Sequence, residues 1–402
     1  MPLRPPAGFI SANYDPLKVP DAPTIGAATA GAIDSGSASV AFTAPANAGG
    51  SAITAYYAVS NPDQFTGTAG SSPVTVSGLA SGTAYTFTVW ALNSYGPSPY
   101  SAASGSVTPS ASRGLFGGGS LTGGTRVNVI QYISIGTTGN ATDFGDLTVS
   151  RNELAACSSS TRGVFGGGNS GSANNTIDYV TIASTGDAID FGDLTARRLG
   201  IAACSNSTRG VWAGGRNQND DNTNIIDYVT IASTGNAIDF GDTLSTIRYM
   251  SGCSSPTRGL FSGGDYSNVI QYITIASAGN STDFGDLINS ITISGSCSSS
   301  TRGLIAGGLN GGDTNVIQYV TIASTGNATD FGDLTFARYG LAGTSNGTRG
   351  VFGGGYNNNT TGAPTNIIDY VTIASAGNAT DFGDLLSATA NISACSNAHG
   401  GL

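Results

Sequence analysis

The sequence predicts an all-β protein in two parts, a β-sandwich followed by a six-bladed β-propeller. Three observations carry this. From Arg113 onward one phrase is written six times: an Arg-Gly pair, glycines, the strand (I/V)(D/Q)Y(V/I)(T/S)I, and a DFGD tetrad. The pairs begin at Arg113, Arg162, Arg209, Arg258, Arg302 and Arg349, 44 to 49 residues apart, and the tetrads at Asp143, Asp190, Asp239, Asp283, Asp330 and Asp381. A period in this range marks units that cannot bury their own apolar face and need neighbours. Second, lysine and glutamate each occur once in 402 residues, as Lys18 and Glu153, so the charged amphipathic runs of helices are missing. Third, residues 21–109 alternate apolar and polar over short runs separated by Gly, Pro and Ser.

Residues 1–20 form an arm broken by Pro2, Pro5, Pro6, Pro16 and Pro20, which excludes a helix or a central strand. It carries Phe9, Ile10, Tyr14 and Leu17, apolar groups that a short extended segment cannot bury itself. They are the candidate anchor for docking on a partner.

Within 21–109 the runs SVAFTAP, ITAYYAV, SPVTVSGL and AYTFTVWALN read as strands of a sandwich. In the last, Tyr85, Phe87, Val89 and Ala91 share one face and Thr86, Thr88 and Trp90 the other. Pro23 at the start, Leu79, Gly82 and Thr83 before Tyr85, and then Val89, Ala91, Asn93 and Gly96 carry a resemblance to the fibronectin type III domain. The resemblance makes Tyr85 the tyrosine-corner residue. Val40 and Phe42 stand where the family has a tryptophan. Such domains are mostly spacers and adhesive modules.

Residues 110–402 hold four strands per repeat: a stretch such as LAACSSS, then RGVFGGG, then TIDYVTIAS, then a run through DFGD toward an arginine such as Arg151 or Arg197. The third is apolar on both faces, as a strand sandwiched between sheets should be. The repeat resembles the kelch-type propeller unit. Its double glycine matches Gly117-Gly118, Gly166-Gly167, Gly214-Gly215, Gly263-Gly264, Gly307-Gly308 and Gly353-Gly354. Its following aromatic matches Tyr132, Tyr179, Tyr228, Tyr272, Tyr319 and Tyr370. The kelch tryptophan is absent, and Phe144, Phe191, Phe240, Phe284, Phe331 and Phe382 occupy that region. The first repeat lacks a first strand and the chain ends in one without a repeat. Asn391–Ala398 is therefore expected beside Gly114–Gly117, closing the propeller.

Charged residues are only 10% of the chain, and the DFGD tetrads supply twelve of its 25 acidic residues, giving a net charge of -10. Such a surface without a basic stripe predicts no nucleic-acid partner. No run is long and apolar enough for a membrane span, and no signal peptide is read at the N-terminus. Cys157, Cys204, Cys253, Cys297 and Cys395 recur at one height of the repeat. A radius of roughly 8–10 Å would hold neighbours beyond the ~7 Å Cα limit of a disulfide, so they are expected free and buried.

DFGD is not a kinase motif here, because its lysine and HRD partners are missing. It reads as a tight turn with Phe as core plug, with calcium the sharper alternative and no other cofactor expected. The only histidine, His399, is three residues from the end, so histidine-based catalysis is not expected. The repeats differ most in the loop after the glycines, where Arg216, Tyr266 and Tyr356 are candidate contacts for a sugar or protein.

The wording NATDFGDLT beside a fibronectin type III domain resembles structural proteins of tailed bacteriophages. The resemblance implies a non-enzymatic virion component of the tail, fibre or baseplate, made in the host cytoplasm and exposed on the particle. It would be held to other virion proteins through the arm, in multiple symmetric copies, with the propeller facing a host-surface glycan or protein. The rival expectations are a capsid-surface decoration protein, a polysaccharide depolymerase and a bacterial surface adhesin.

Overall fold

The computed structural model describes residues 18–358 and 362–402. The candidate anchors Phe9, Ile10, Tyr14 and Leu17 lie outside these residues. The chain divides into two compact units at Ala111/Ser112, and among the described residues every regular element is a strand.

The first unit pairs two sheets. One holds Thr24–Ala30, Ser37–Thr43 and Val74–Ser77; the other holds Thr66–Ala69, Ala55–Asn61, Thr86–Asn93 and Gly96–Pro97. The alternation sorts side chains as expected: Phe87, Val89 and Ala91 are buried and Thr86, Thr88 and Trp90 are half-buried. Val40 and Phe42 are in the core, Phe42 with its ring 4.6 Å from that of Tyr56. The Tyr85 hydroxyl accepts the Ala80 N–H at 3.1 Å and donates to Asp63 at 3.0 Å, which fixes the corner. A feature that alternation does not reveal is Ser98, Ser101 and Ser104. Their N–H groups donate to the carbonyls of Ala91, Val89 and Phe87, and their hydroxyls accept the N–H groups of the same residues. A three-residue serine period thus satisfies a strand edge.

The second unit contains six four-stranded antiparallel sheets, numbered here in chain order. Sheets 2 to 6 are contiguous in sequence, with first strands Ala155–Ser158, Ala202–Ser205, Ser251–Ser254, Gly295–Ser298 and Ala342–Ser345. Sheet 1 begins at Arg113–Gly117 and takes its first strand, Ser393–Ser396, from the C-terminus, with Ser393 opposite Gly117 and Ser396 opposite Gly114. Each sheet is open, and among the described residues none closes into a barrel.

The core of this unit is six clusters, each between consecutive sheets. Sheets 2 and 3, for example, enclose Val164, Ile177, Phe191 and Trp212, and sheets 6 and 1 enclose Phe116, Ile133, Val351 and Phe382. Fully burying one such side chain is worth roughly 1.5–3 kcal/mol, so these faces stabilise strands too short to stand alone.

Polar links run the same course. The Oγ of Ser158, Ser205, Ser254, Ser298, Ser345 and Ser396 each donates to the carbonyl of the equivalent serine one sheet back, and Ser158 donates to Ser396, so the series returns on itself. The arginine of each Arg-Gly pair lies 4.6–4.8 Å over the tyrosine of its own sheet and donates to a carbonyl of the next. Arg113 reaches Ile182, and Arg349 reaches Ile135. Each of these tyrosines meets the phenylalanine of its DFGD edge-on at 5.8–6.0 Å.

DFGD lies on the fourth strand, as the sequence reading places it, but as a bulge and not as the tight turn expected. The bulge glycine has φ near 144° in sheet 1, and a Cβ on Gly145 would stand 2.5 Å from the Gly186 carbonyl oxygen. Only glycine admits this approach. The Phe144 carbonyl accepts the Gly186 N–H at 2.7 Å and the Asp146 carbonyl accepts that of Ala188, so the tetrad clasps the next sheet. The double glycine is left-handed as matched at Gly214-Gly215, Gly263-Gly264 and Gly307-Gly308, and shifts in the other three sheets. The left-handed pair is Gly118-Gly119, Gly167-Gly168 and Gly354-Gly355 in sheets 1, 2 and 6, one residue beyond the pair the kelch resemblance marks.

The sheet boundaries use two polar keys. At three of them a buried Arg–Asp pair is joined by a threonine: Arg151–Asp178–Thr148, Arg198–Asp227–Thr195 and Arg338–Asp369–Thr335. Arg198, and not Arg197, is the buried residue. At the other three, Gln131, Gln271 and Gln318 accept the N–H of Leu386, Leu244 and Ile288. Aspartate thus comes with arginine and threonine, and glutamine with an aliphatic residue.

Candidate functional site

Two opposite ends of the first strands are distinct in chemistry. Just before each strand the chain turns through a left-handed residue: Glu153, Gly200, Tyr249, Ile293, Gly340 and Asn391, with φ between 51° and 67°. The N–H of each donates to the carbonyl of the one before it at 2.7–3.1 Å, and Glu153 donates to Asn391, a second series that returns on itself. This conformation costs an L-residue about 1–2 kcal/mol relative to glycine, and β-branched Ile293 suffers most. Four of the six positions nevertheless carry a side chain, each different.

The two glycines make room for their neighbours. A Cβ on Gly200 would lie 2.7 Å from Cε1 of Tyr249, and one on Gly340 would lie 2.6 Å from Oδ1 of Asn391. Tyr249 therefore leans across Gly200, and its hydroxyl donates to Oε2 of Glu153 at 3.0 Å. Beneath lies a floor of Leu154, Ile201, Met250, Leu341 and Ile392, enclosing a cavity of about 80 Å³. Burial raises the pKa of Glu153, opposed by the Tyr249 hydrogen bond and the charges of Arg216, Arg248 and Arg126. Burial, reinforced by Glu153, pushes the Tyr249 hydroxyl up to about 12.

The variable loops border this mouth. Arg216 exchanges backbone hydrogen bonds with Leu199, next to Gly200, and pairs with Asp220 at 3.3 Å. Tyr356 does the same with Tyr339, next to Gly340; their rings stack at 5.4 Å. Tyr266 is 58% exposed and follows Asp265, whose carboxylate accepts from Arg248 and Asn222. The three loop candidates thus come to one face, while Glu153, Tyr249 and Asn391 were missed. A signal existed: with the repeats aligned on cysteine, the position four residues earlier differs almost every time.

At the other end a cavity of about 50 Å³ is lined by Cys157, Cys204, Cys253, Cys297 and Cys395, with Thr344 at the sixth position. All five cysteines are free and buried. Burial pushes their thiols up, to about 12 for Cys253 and Cys395, which keeps them protonated and unreactive. Thiol titration is expected to find five groups after denaturation and few before; ready labelling of the folded protein would contradict this packing.

The C-terminus closes that end. Gly401 N–H donates to Nδ1 of His399 at 3.0 Å, which leaves Nε2 to donate to the Ser158 carbonyl at 3.1 Å. Burial holds the imidazole neutral, with its pKa lowered to about 4 from 6.5. The unfolded chain binds the proton from pH 6.5 downward while the folded state refuses it until about 4. Stability therefore falls as pH drops through that window, by at most about 3 kcal/mol. Comparing pH-dependent denaturation of wild type and His399→Gln checks this: the variant should lose that slope, and identical slopes would refute it.

Among the described residues no group of three or more His, Cys, Asp and Glu is placed to hold a metal, and no helix is long and apolar enough to cross a membrane. Residues 21–106 match the fibronectin type III domain family, in agreement with the sandwich and the Tyr85 corner. No curated protein matches the chain.

Proposed function

We propose that residues 112–402 are a six-bladed, kelch-like β-propeller, and that the chain is a non-enzymatic display protein of a tailed-phage virion, presenting the loop-bearing face to a host-surface glycan or protein. The observation that carries this reading is the asymmetry of repetition. The serine series, the arginine series and the face-to-face cores recur six times and return from sheet 6 to sheet 1. The divergent side chains gather on one face. A scaffold copied so closely, with its variable loops gathered at one end, is organised for presentation. The phage assignment rests on the likeness of the repeat wording and the fibronectin type III domain. The arm with Phe9, Ile10, Tyr14 and Leu17 is the proposed attachment to other virion proteins, in multiple copies.

Labelled full chain is expected to bind host cells, and a Tyr266→Ala/Tyr356→Ala variant to bind at least tenfold less. Removing residues 2–17 should leave a folded protein absent from purified particles. Equal host binding by the loop variant, or full incorporation of the truncated chain, would overturn the respective assignment. Release of reducing sugar from host envelope would make the protein a depolymerase instead.

A further inference from the structure

We propose that the mouth formed by Glu153, Tyr249 and Asn391 is a binding site for a neutral, hydroxylated group, the terminal sugar of a surface glycan. This rests on the display reading and names the ligand class of that face. The chemistry selects the class. Oε2 of Glu153 accepts from Tyr249, and Oε1 has no hydrogen bond to the described residues, so one carboxyl oxygen remains to accept from a ligand hydroxyl. Asn391, held over Gly340, adds an amide that can both donate and accept. The flank of Tyr249 and the floor of Leu154, Ile201 and Met250 offer apolar surface to the C–H face of a sugar.

Charge around the mouth is balanced. Arg216 is paired with Asp220 and Arg248 with Asp265, and Arg126 stands against Glu153. A site without net charge gives neither ion an advantage, and a neutral polyol needs none. The cavity of about 80 Å³ accommodates a hydroxymethyl arm or one ring edge, with the rest of the sugar lying among the loops of Arg216, Tyr266 and Tyr356. Glu153, Tyr249 and Asn391 hold left-handed positions where glycine is easier, a strain that is common at functional sites.

The test titrates the full chain with glucose, galactose, mannose and N-acetylglucosamine by saturation-transfer NMR, with methylammonium and acetate as charged controls. At least one hexose should bind and both ions should not. Asn391→Gly and Glu153→Gly keep a residue suited to the left-handed turn, so folding is preserved, and each should weaken the hexose tenfold or more. Preferential binding of either ion, binding of none of the sugars, or undiminished binding by both variants would overturn the proposal. Host-cell adhesion is measured in parallel on the same variants. Adhesion that persists in both while the sugars fail to bind would refute the sugar site and leave the display reading standing; loss of adhesion by wild type as well would remove that reading too.

Discussion

Arg198→Ala is expected to destabilise the protein by about 3–5 kcal/mol, because it strands the Asp227 carboxylate in a boundary where both side chains are fully buried. For a unit of this size that lowers the midpoint on the order of 10 °C. The protein itself supplies the rescue. One boundary further on, the equivalent positions are Leu244, Ile247 and Gln271, where Gln271 accepts the Leu244 N–H at 2.9 Å. The triple variant Thr195→Leu/Arg198→Ile/Asp227→Gln copies that key. It should return stability to within about 1 kcal/mol of wild type or above it, since a buried ion pair seldom outperforms a well-packed neutral replacement. Among the described residues the buried Nε of Arg198 has no hydrogen-bond partner, so the ionic key is itself imperfectly satisfied. Thermal melts of the single and triple variants check this. A triple variant as unstable as Arg198→Ala would mean the two keys are not interchangeable.

Deleting residues 388–402 should have an effect at least as large. It removes Ile392 and Cys395 from two cores, takes Ser396 and Asn391 from two hydrogen-bond series, and leaves Arg113–Gly117 as an unpaired edge. Loss of Ile392 and its neighbours alone is worth several kcal/mol, and an exposed edge invites pairing between molecules. The truncated chain is expected to melt more than about 10 °C lower and to aggregate, read by differential scanning and light scattering. An unchanged midpoint would contradict closure by the C-terminal strand.

The sequence made legible what is local or periodic. The six-fold phrase placed the strands, the orphan segment Asn391–Ala398 was matched to Gly114–Gly117, where the structure pairs Ser393–Ser396, and the cysteines recurred at one buried height. What stayed hidden depends on contacts between repeats. DFGD looks like a turn because its glycine and aspartates are turn residues; its glycine is needed for the approach of Gly186 from the next sheet. Arg197 and Arg198 are adjacent and chemically alike, and only the packing face separates them. Glu153, Tyr249 and Asn391 lie roughly 100 or more residues apart and meet only because the series of first strands brings them together. The Ser98, Ser101 and Ser104 ladder escaped because it has period three, not two.

Hydrogen exchange of the Ser393–Ser396 amides tests the central claim most directly. In a ring shut by its own terminus these amides open only with the whole unit, so they should be protected as strongly as those of Arg162–Gly166, and together with Arg113–Gly117. Exchange of Ser393–Ser396 within seconds, while the other first strands stay protected, would mean that the C-terminus is a loose end and that the six sheets do not form a closed propeller.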